Sequence, residues 1–207
     1  MTRIKICGVR TPADAAMVAA AGADAVGINF FPKSPRYIDP RAAAEIVRAL
    51  PPFTAPVGVF VGMPLRQATA LAFQLGLRAI QTYDRPPGED PFPFAHVPAF
   101  RVKDATSLAM IRSFIAARKP AAVLVDAYVE GAVGGTGILA PWDLLAGFDP
   151  GVPLILAGGL TPENVAAAVR TVRPWGVDVA SGVESAPGMK DPGKIRAFVA
   201  AVRAAGD

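Results

Sequence analysis

Short apolar runs alternate with amphipathic stretches along the whole chain. In residues 3–8, Ile4 and Ile6 fall on one face of an extended segment and Arg3, Lys5 and Cys7 on the other, because side chains alternate along a strand. Gly8 ends that run. Thr11-Pro12 then opens a helix, with Thr as N-cap and Pro in the first turn, and Gly22 closes it. The same patterning predicts further strands over 24–30, 55–61, 78–82, 99–103, 121–126, 152–157 and 176–180. Helices are predicted over 40–50, 65–75, 104–118, 141–146, 162–172 and 191–205. The helix over 104–118 is the clearest, with Leu108, Ile111, Phe114 and Ile115 on one stripe. Residues 84–98 are rich in proline, so the fourth helix is expected to be short, irregular or absent.

Eight strands alternating with about as many helices argue for a parallel sheet. Eight is also the number that closes a barrel. The expected fold is therefore a single compact (β/α)8 TIM barrel over residues 1–207; such barrels run from roughly 200 residues upward. The rival is an open doubly wound sheet. Its dinucleotide fingerprint is missing, because Cys7-Gly8-Val9-Arg10 does not match G-x-G-x-x-G.

Composition narrows the class. The chain is 52% hydrophobic and 18% charged. Its longest uncharged run, residues 49–65, contains four prolines and turn signals, so it is no membrane-spanning helix. The N-terminus lacks the apolar core of a signal peptide. One cysteine excludes an internal disulfide framework and fits a reducing cytoplasm. One cysteine with one histidine does not make a Cys/His zinc site. The net charge of +4 comes from scattered basic residues without a nucleic-acid motif. It fits either a small anionic substrate or an ordinary surface balance.

The chemistry gathers at strand ends. In a β/α barrel the C-terminal edge of the strands is the active-site face. Cys7 stands there, though cysteine is also a common small buried residue. Asp126 ends the sixth strand, with Val123 and Val125 toward the helices and Leu124 and Asp126 inward. It reads equally as a catalytic carboxylate or as a turn-capping one. Two glycine-rich loops follow the last two strands: Ala157-Gly158-Gly159-Leu160 and Ala180-Ser181-Gly182-Val183-Glu184. One such loop merely ends a strand. The pair points to a phosphate held by backbone N–H groups around Gly158, Gly159, Ser181 and Gly182. His96, the lone histidine, sits in the proline-rich stretch and reads as surface or satisfied core.

Seven stretches occur in order that resemble one family. They are Lys5-Ile6-Cys7-Gly8, Gly22-Ala23-Asp24-Ala25-Val26-Gly27, Phe31-Pro32-Lys33-Ser34-Pro35-Arg36-Tyr37, Val57-Gly58-Val59-Phe60-Val61, Gly134-Gly135-Thr136-Gly137, residues 157–165 and residues 178–184. Nearly end to end, the chain resembles the phosphoribosylanthranilate isomerases, barrel enzymes of tryptophan biosynthesis. The resemblance implies an Amadori rearrangement of N-(5-phosphoribosyl)anthranilate to the 1-deoxyribulose 5-phosphate. It implies Cys7 as general base, Asp126 as general acid, Arg36 on the anthranilate carboxylate, and Gly135 and Gly137 in substrate binding. The chemistry calls for no metal or organic cofactor, since a Schiff-base nitrogen is the electron sink. The expected partner is a small phosphorylated molecule, with neither nucleic acid nor membrane, and the chain a monomer or homodimer in the cytoplasm.

Two stretches depart from the family pattern. Gln81-Thr82-Tyr83-Asp84 replaces Gln-Leu-His-Gly, and Ile138-Leu139-Ala140-Pro141-Trp142 replaces Lys-Thr-Phe-Asp-Trp. The rivals are a histidine-pathway isomerase, whose site resembles two aspartates, and a catalytically silent phosphate-binding barrel.

The alternation also places Lys5 inside the barrel beneath Cys7. Strand eight neighbours strand one in a closed barrel, so Asp178 is the expected partner of Lys5. With its field partly neutralised, Lys5 is expected to shift the Cys7 pKa downward by a modest amount.

Overall fold

The computed structural model describes residues 1–83, 94–126 and 142–206. Eight strands close into a barrel: β1 (Arg3–Cys7), β2 (Ala25–Asn29), β3 (Ala55–Phe60), β4 (Ala79–Thr82), β5 (Ala95–Arg101), β6 (Val123–Asp126), β7 (Leu154–Ala157) and β8 (Gly176–Val179). Every neighbouring pair is parallel, and β8 closes on β1 with Lys5 opposite Asp178. The helices among the described residues are α1 (Pro12–Ala20), α2 (Pro40–Ala49), α3 (Leu65–Leu75), α4 (Ala105–Arg118), α5 (Trp142–Leu145), α6 (Val165–Val172) and α7 (Pro192–Ala205). None of them is long and apolar enough to cross a membrane.

Local chemistry sets the helix starts. The side chains of Thr11, Asp39, Asp104 and Asp191 each accept a hydrogen bond from a backbone N–H in the first turn. Those caps stand right after strand ends or loops, so each helix departs from a fixed point.

The core is two-layered. Outward residues such as Ile4, Ile6, Val26, Ile28, Val123, Val125, Val177 and Val179 pack with helix residues such as Val18, Ile46, Ile111 and Phe198. Inside the barrel lies a smaller cluster of Val97, Ala99, Ala122, Leu124 and Ala157. The split bears out the inward placement of Leu124 that alternation predicts.

Two element starts differ from the sequence expectation by three residues or more. β5 starts at Ala95 rather than at residue 99, because pairing with β4 draws His96 and Pro98 into the ladder opposite Ile80 and Thr82. Tertiary pairing overrides local strand propensity there. α6 starts at Val165 rather than at residue 162, because Asn164 holds residues 159–161 in a loop: it accepts from the Thr161 N–H at 2.8 Å and donates to the Gly159 carbonyl at 2.9 Å. The expected short fourth helix falls on residues 84–93, outside those described.

Candidate active site

Cys7 is the last residue of β1 and is buried. Gly27, its neighbour on β2, makes the room: a Cβ there would come within 2.7 Å of the Cys7 Sγ and 3.1 Å of the Lys5 Cε. Gly8 then turns the chain with φ at +77°, a backbone conformation that favours glycine. Beneath Cys7, Lys5 Nζ donates to Asp178 Oδ1 at 2.9 Å, with both groups buried. Burial acts to lower the Lys5 pKa, but Asp178 and Cys7 outweigh it, so Lys5 stays charged.

The Cys7 thiol is pushed up, not down as the sequence reading expects. Burial is the largest influence and favours the neutral thiol; Lys5 and Lys190 pull downward, while Asp178 pushes upward. The pairing was legible, but the depth of burial was not.

Arg36 lies on Gly8. The aliphatic part of Arg36 occupies the space a Gly8 side chain would need, which brings its stem beside the Cys7 loop. Its loop is fixed locally: Asn29 Oδ1 accepts from the Phe31 N–H at 2.8 Å, and Ser34 Oγ accepts from the Arg36 N–H at 3.1 Å. The guanidinium grips Glu184 through Nε at 2.8 Å and Nη2 at 2.7 Å. Glu184 also accepts from Lys190 Nζ at 2.8 Å and from the Gly188 N–H at 3.2 Å. Burial alone would raise the Glu184 pKa, but Arg36 and Lys190 hold it below the usual carboxylate range. Glu184 and Lys190 belong to a small hairpin, β9 (Glu184–Ala186) with β10 (Met189–Lys190), that follows β8.

Asp126 ends β6, partly exposed at the same rim, opposite Ala157 on β7. Tyr83 follows β4, its N–H donating to the Phe60 carbonyl at 3.4 Å. Its hydroxyl is held in the protonated form, first by burial of the ring's inner part, then by the charges of Cys7, Asp178 and Asp126, while 38% of the residue is exposed. Tyr83 is thus a neutral phenol within electrostatic reach of all three. His96 lies away from this group: its Nε2 shares a 2.9 Å hydrogen bond with Thr82 Oγ1, and burial followed by Arg118 lowers its pKa.

The two glycine loops pack together. Gly158 and Gly159 have φ of +93° and +63°. Residues Ser181–Val183 form a single 3-10 turn. A Cβ on Gly182 would overlap the Leu160 carbonyl, so only glycine lets that turn sit against the β7 loop.

The model of the N-(5'-phosphoribosyl)anthranilate isomerase family matches residues 4–201. The chain belongs to that family. It is 47% identical to the N-(5'-phosphoribosyl)anthranilate isomerase of Geotalea uraniireducens, over 96% of this chain and 97% of that one. It is 45% identical to that of Pseudomonas aeruginosa, covering 97% and 95%. Among solved structures, the phosphoribosyl anthranilate isomerase of Thermotoga maritima superposes with a TM-score of 0.86 at 36% identity, covering 99% of this chain and 100% of that one. A second, in complex with reduced 1-(o-carboxyphenylamino)-1-deoxyribulose 5-phosphate, gives 0.83 at 35% identity, covering 99% and 100%.

For this isomerase, the structure brings Cys7, Arg36, Asp126, Gly158, Gly159, Ser181 and Gly182 to one face of the barrel, the C-terminal ends of the strands and the loops after them. Gly135 and Gly137 lie outside the described residues. Sequence reasoning left Glu184 and Lys190 without a role. The one available signal was Glu184 at the end of a matched motif.

Proposed function

We propose that this chain catalyses the Amadori rearrangement of N-(5'-phosphoribosyl)anthranilate to 1-(2-carboxyphenylamino)-1-deoxyribulose 5-phosphate, a step of tryptophan biosynthesis. The observation that carries the assignment of roles is the juxtaposition at the rim: Cys7 ends β1, Asp126 ends β6, and Arg36 lies across Gly8 beside Cys7.

Asp126 protonates the ring oxygen, the furanose opens and a Schiff base forms at carbon 1. Cys7 as thiolate removes the proton from carbon 2. The electrons of that bond flow to the Schiff-base nitrogen, giving an enolamine that becomes the ketone when carbon 1 is protonated. A raised pKa leaves little thiolate at neutral pH but makes each thiolate a stronger base. Arg36, oriented by Glu184, retains N–H groups for the anthranilate carboxylate. The phosphate rests on the N–H groups of Gly159 and of Ser181 or Gly182, with Gly158 shaping the turn. Gly135 and Gly137 complete the substrate contacts.

The test is turnover by the purified chain, read as loss of anthranilate-type fluorescence, beside an assay with the aminoaldose phosphate of the histidine pathway. Conversion of the anthranilate compound in clear preference is expected. Conversion of only the histidine-pathway compound, or of neither, overturns the proposal.

A further inference from the structure

The opposite end of the barrel opens into a cavity of about 500 Å3, within the roughly 300–1,000 Å3 of small-molecule sites. Barrel interiors are usually filled by bulky branched side chains. Here four consecutive strands each put an alanine into the lining: Ala25 on β2, Ala55 on β3, Ala79 on β4 and Ala95 on β5, with Val57 and Val97 further in. The aromatic side chains of Phe53 and Trp175 stand at the mouth, 99% and 53% exposed.

Gln81 also lines the cavity and is only 1% exposed. Neither its Nε2 nor its Oε1 has a hydrogen-bond partner among the described residues. A buried amide carries two donors and an acceptor, and leaving them unmade is costly. The charged groups on the wall are already paired: Arg3 with Asp24 at 2.9 Å, and Lys5 with Asp178 at 2.9 Å. The wall is therefore largely apolar, its charges are paired, and the unpartnered Gln81 amide is buried in it.

We propose that this cavity is a binding site for a small, flat, neutral molecule: a ring that packs on the alanines, with an adjacent donor and acceptor that pair with the Gln81 amide. The site is separate from the catalytic rim. Lys5 lies two residues before Cys7 on β1, and Gln81 on β4 lies two residues before Tyr83, so the buried Lys5–Asp178 pair stands between the two ends.

Benzamide, a ring with a primary amide, is a suitable probe. Titrated into isotope-labelled protein, it is expected to give saturable shifts of the Ala79 and Ala95 methyl signals and of the Gln81 side-chain amide. Excess inorganic phosphate, directed to the rim, should leave them unchanged. Ala79→Leu, which fills the cavity, and Gln81→Leu, which removes the amide, should each weaken binding at least tenfold. Absence of saturable shifts in the wild-type protein overturns the proposal, and so does displacement by phosphate. Unchanged affinity in a folded Ala79→Leu variant overturns it too; should that variant not fold, the wild-type shift pattern decides alone.

Discussion

Arg36 holds Glu184 through two hydrogen bonds, Nε to Oε1 at 2.8 Å and Nη2 to Oε2 at 2.7 Å. The residues are far apart in sequence, and barrel closure brings the loop after β2 against the hairpin after β8. A bidentate pair fixes the plane of a guanidinium. Glu184 therefore sets where the remaining N–H groups of Arg36 point. Glu184→Gln should raise KM with a much smaller effect on kcat. A hydrogen bond to a charged group is worth about 1.5–3 kcal/mol, so the rise is roughly ten- to a hundred-fold. Steady-state kinetics check this; an unchanged KM would show that Arg36 needs no such brace.

The raised Cys7 pKa predicts a pH dependence with a definite sign. The thiol is held neutral in the folded chain, so alkylation by iodoacetamide should be slow at neutral pH. It should climb with pH beyond the ordinary thiol value of about 8.5. Lys5 lowers this pKa and Asp178 raises it. Lys5→Met should thus move the alkylation profile to higher pH, and Asp178→Asn to lower pH. The same base should make kcat/KM rise with pH through the neutral range. An alkylation profile that Lys5→Met leaves unmoved would make the buried pair purely structural.

Asp126→Asn keeps the shape of the side chain at the end of β6 but cannot donate a carboxyl proton. Its kcat should fall by about 10²–10⁴-fold, the usual contribution of a general acid or base. Product affinity, measured by fluorescence titration, should persist. Near-wild-type turnover would leave Asp126 a loop-capping residue.

The phosphate assignment is tested by soaking crystals with inorganic phosphate or product. The anion is expected on the N–H groups of Gly159 and of Ser181 or Gly182. Gly182→Ala should weaken substrate binding, because its methyl group would collide with the Leu160 carbonyl and part the two loops. An anion bound elsewhere would overturn the assignment.

The barrel was legible because alternation and helix punctuation are local signals. Lys5 and Asp178 could be paired from sequence, since inward alternation on β1 and β8 plus closure leaves little choice. The start of β5 is hidden because Pro98 and the prolines before it mimic a loop, and only pairing with β4 shows residues 95–98 as strand. The Arg36–Glu184–Lys190 cluster was hidden for another reason. It depends on how two loops and a hairpin meet above the sheet, which no periodicity encodes. The direction of the Cys7 shift failed similarly: the opposing influences were foreseeable, but the winner depends on burial that only the packed structure reveals.

The measurement that bears most directly on the central claim is the rate at which Cys7→Ala consumes N-(5'-phosphoribosyl)anthranilate, followed by fluorescence beside the wild-type chain. With Cys7 as the base at carbon 2, kcat should drop by about 10²–10⁴-fold while KM changes little. A Cys7→Ala variant that turns over at close to the wild-type rate would contradict the account.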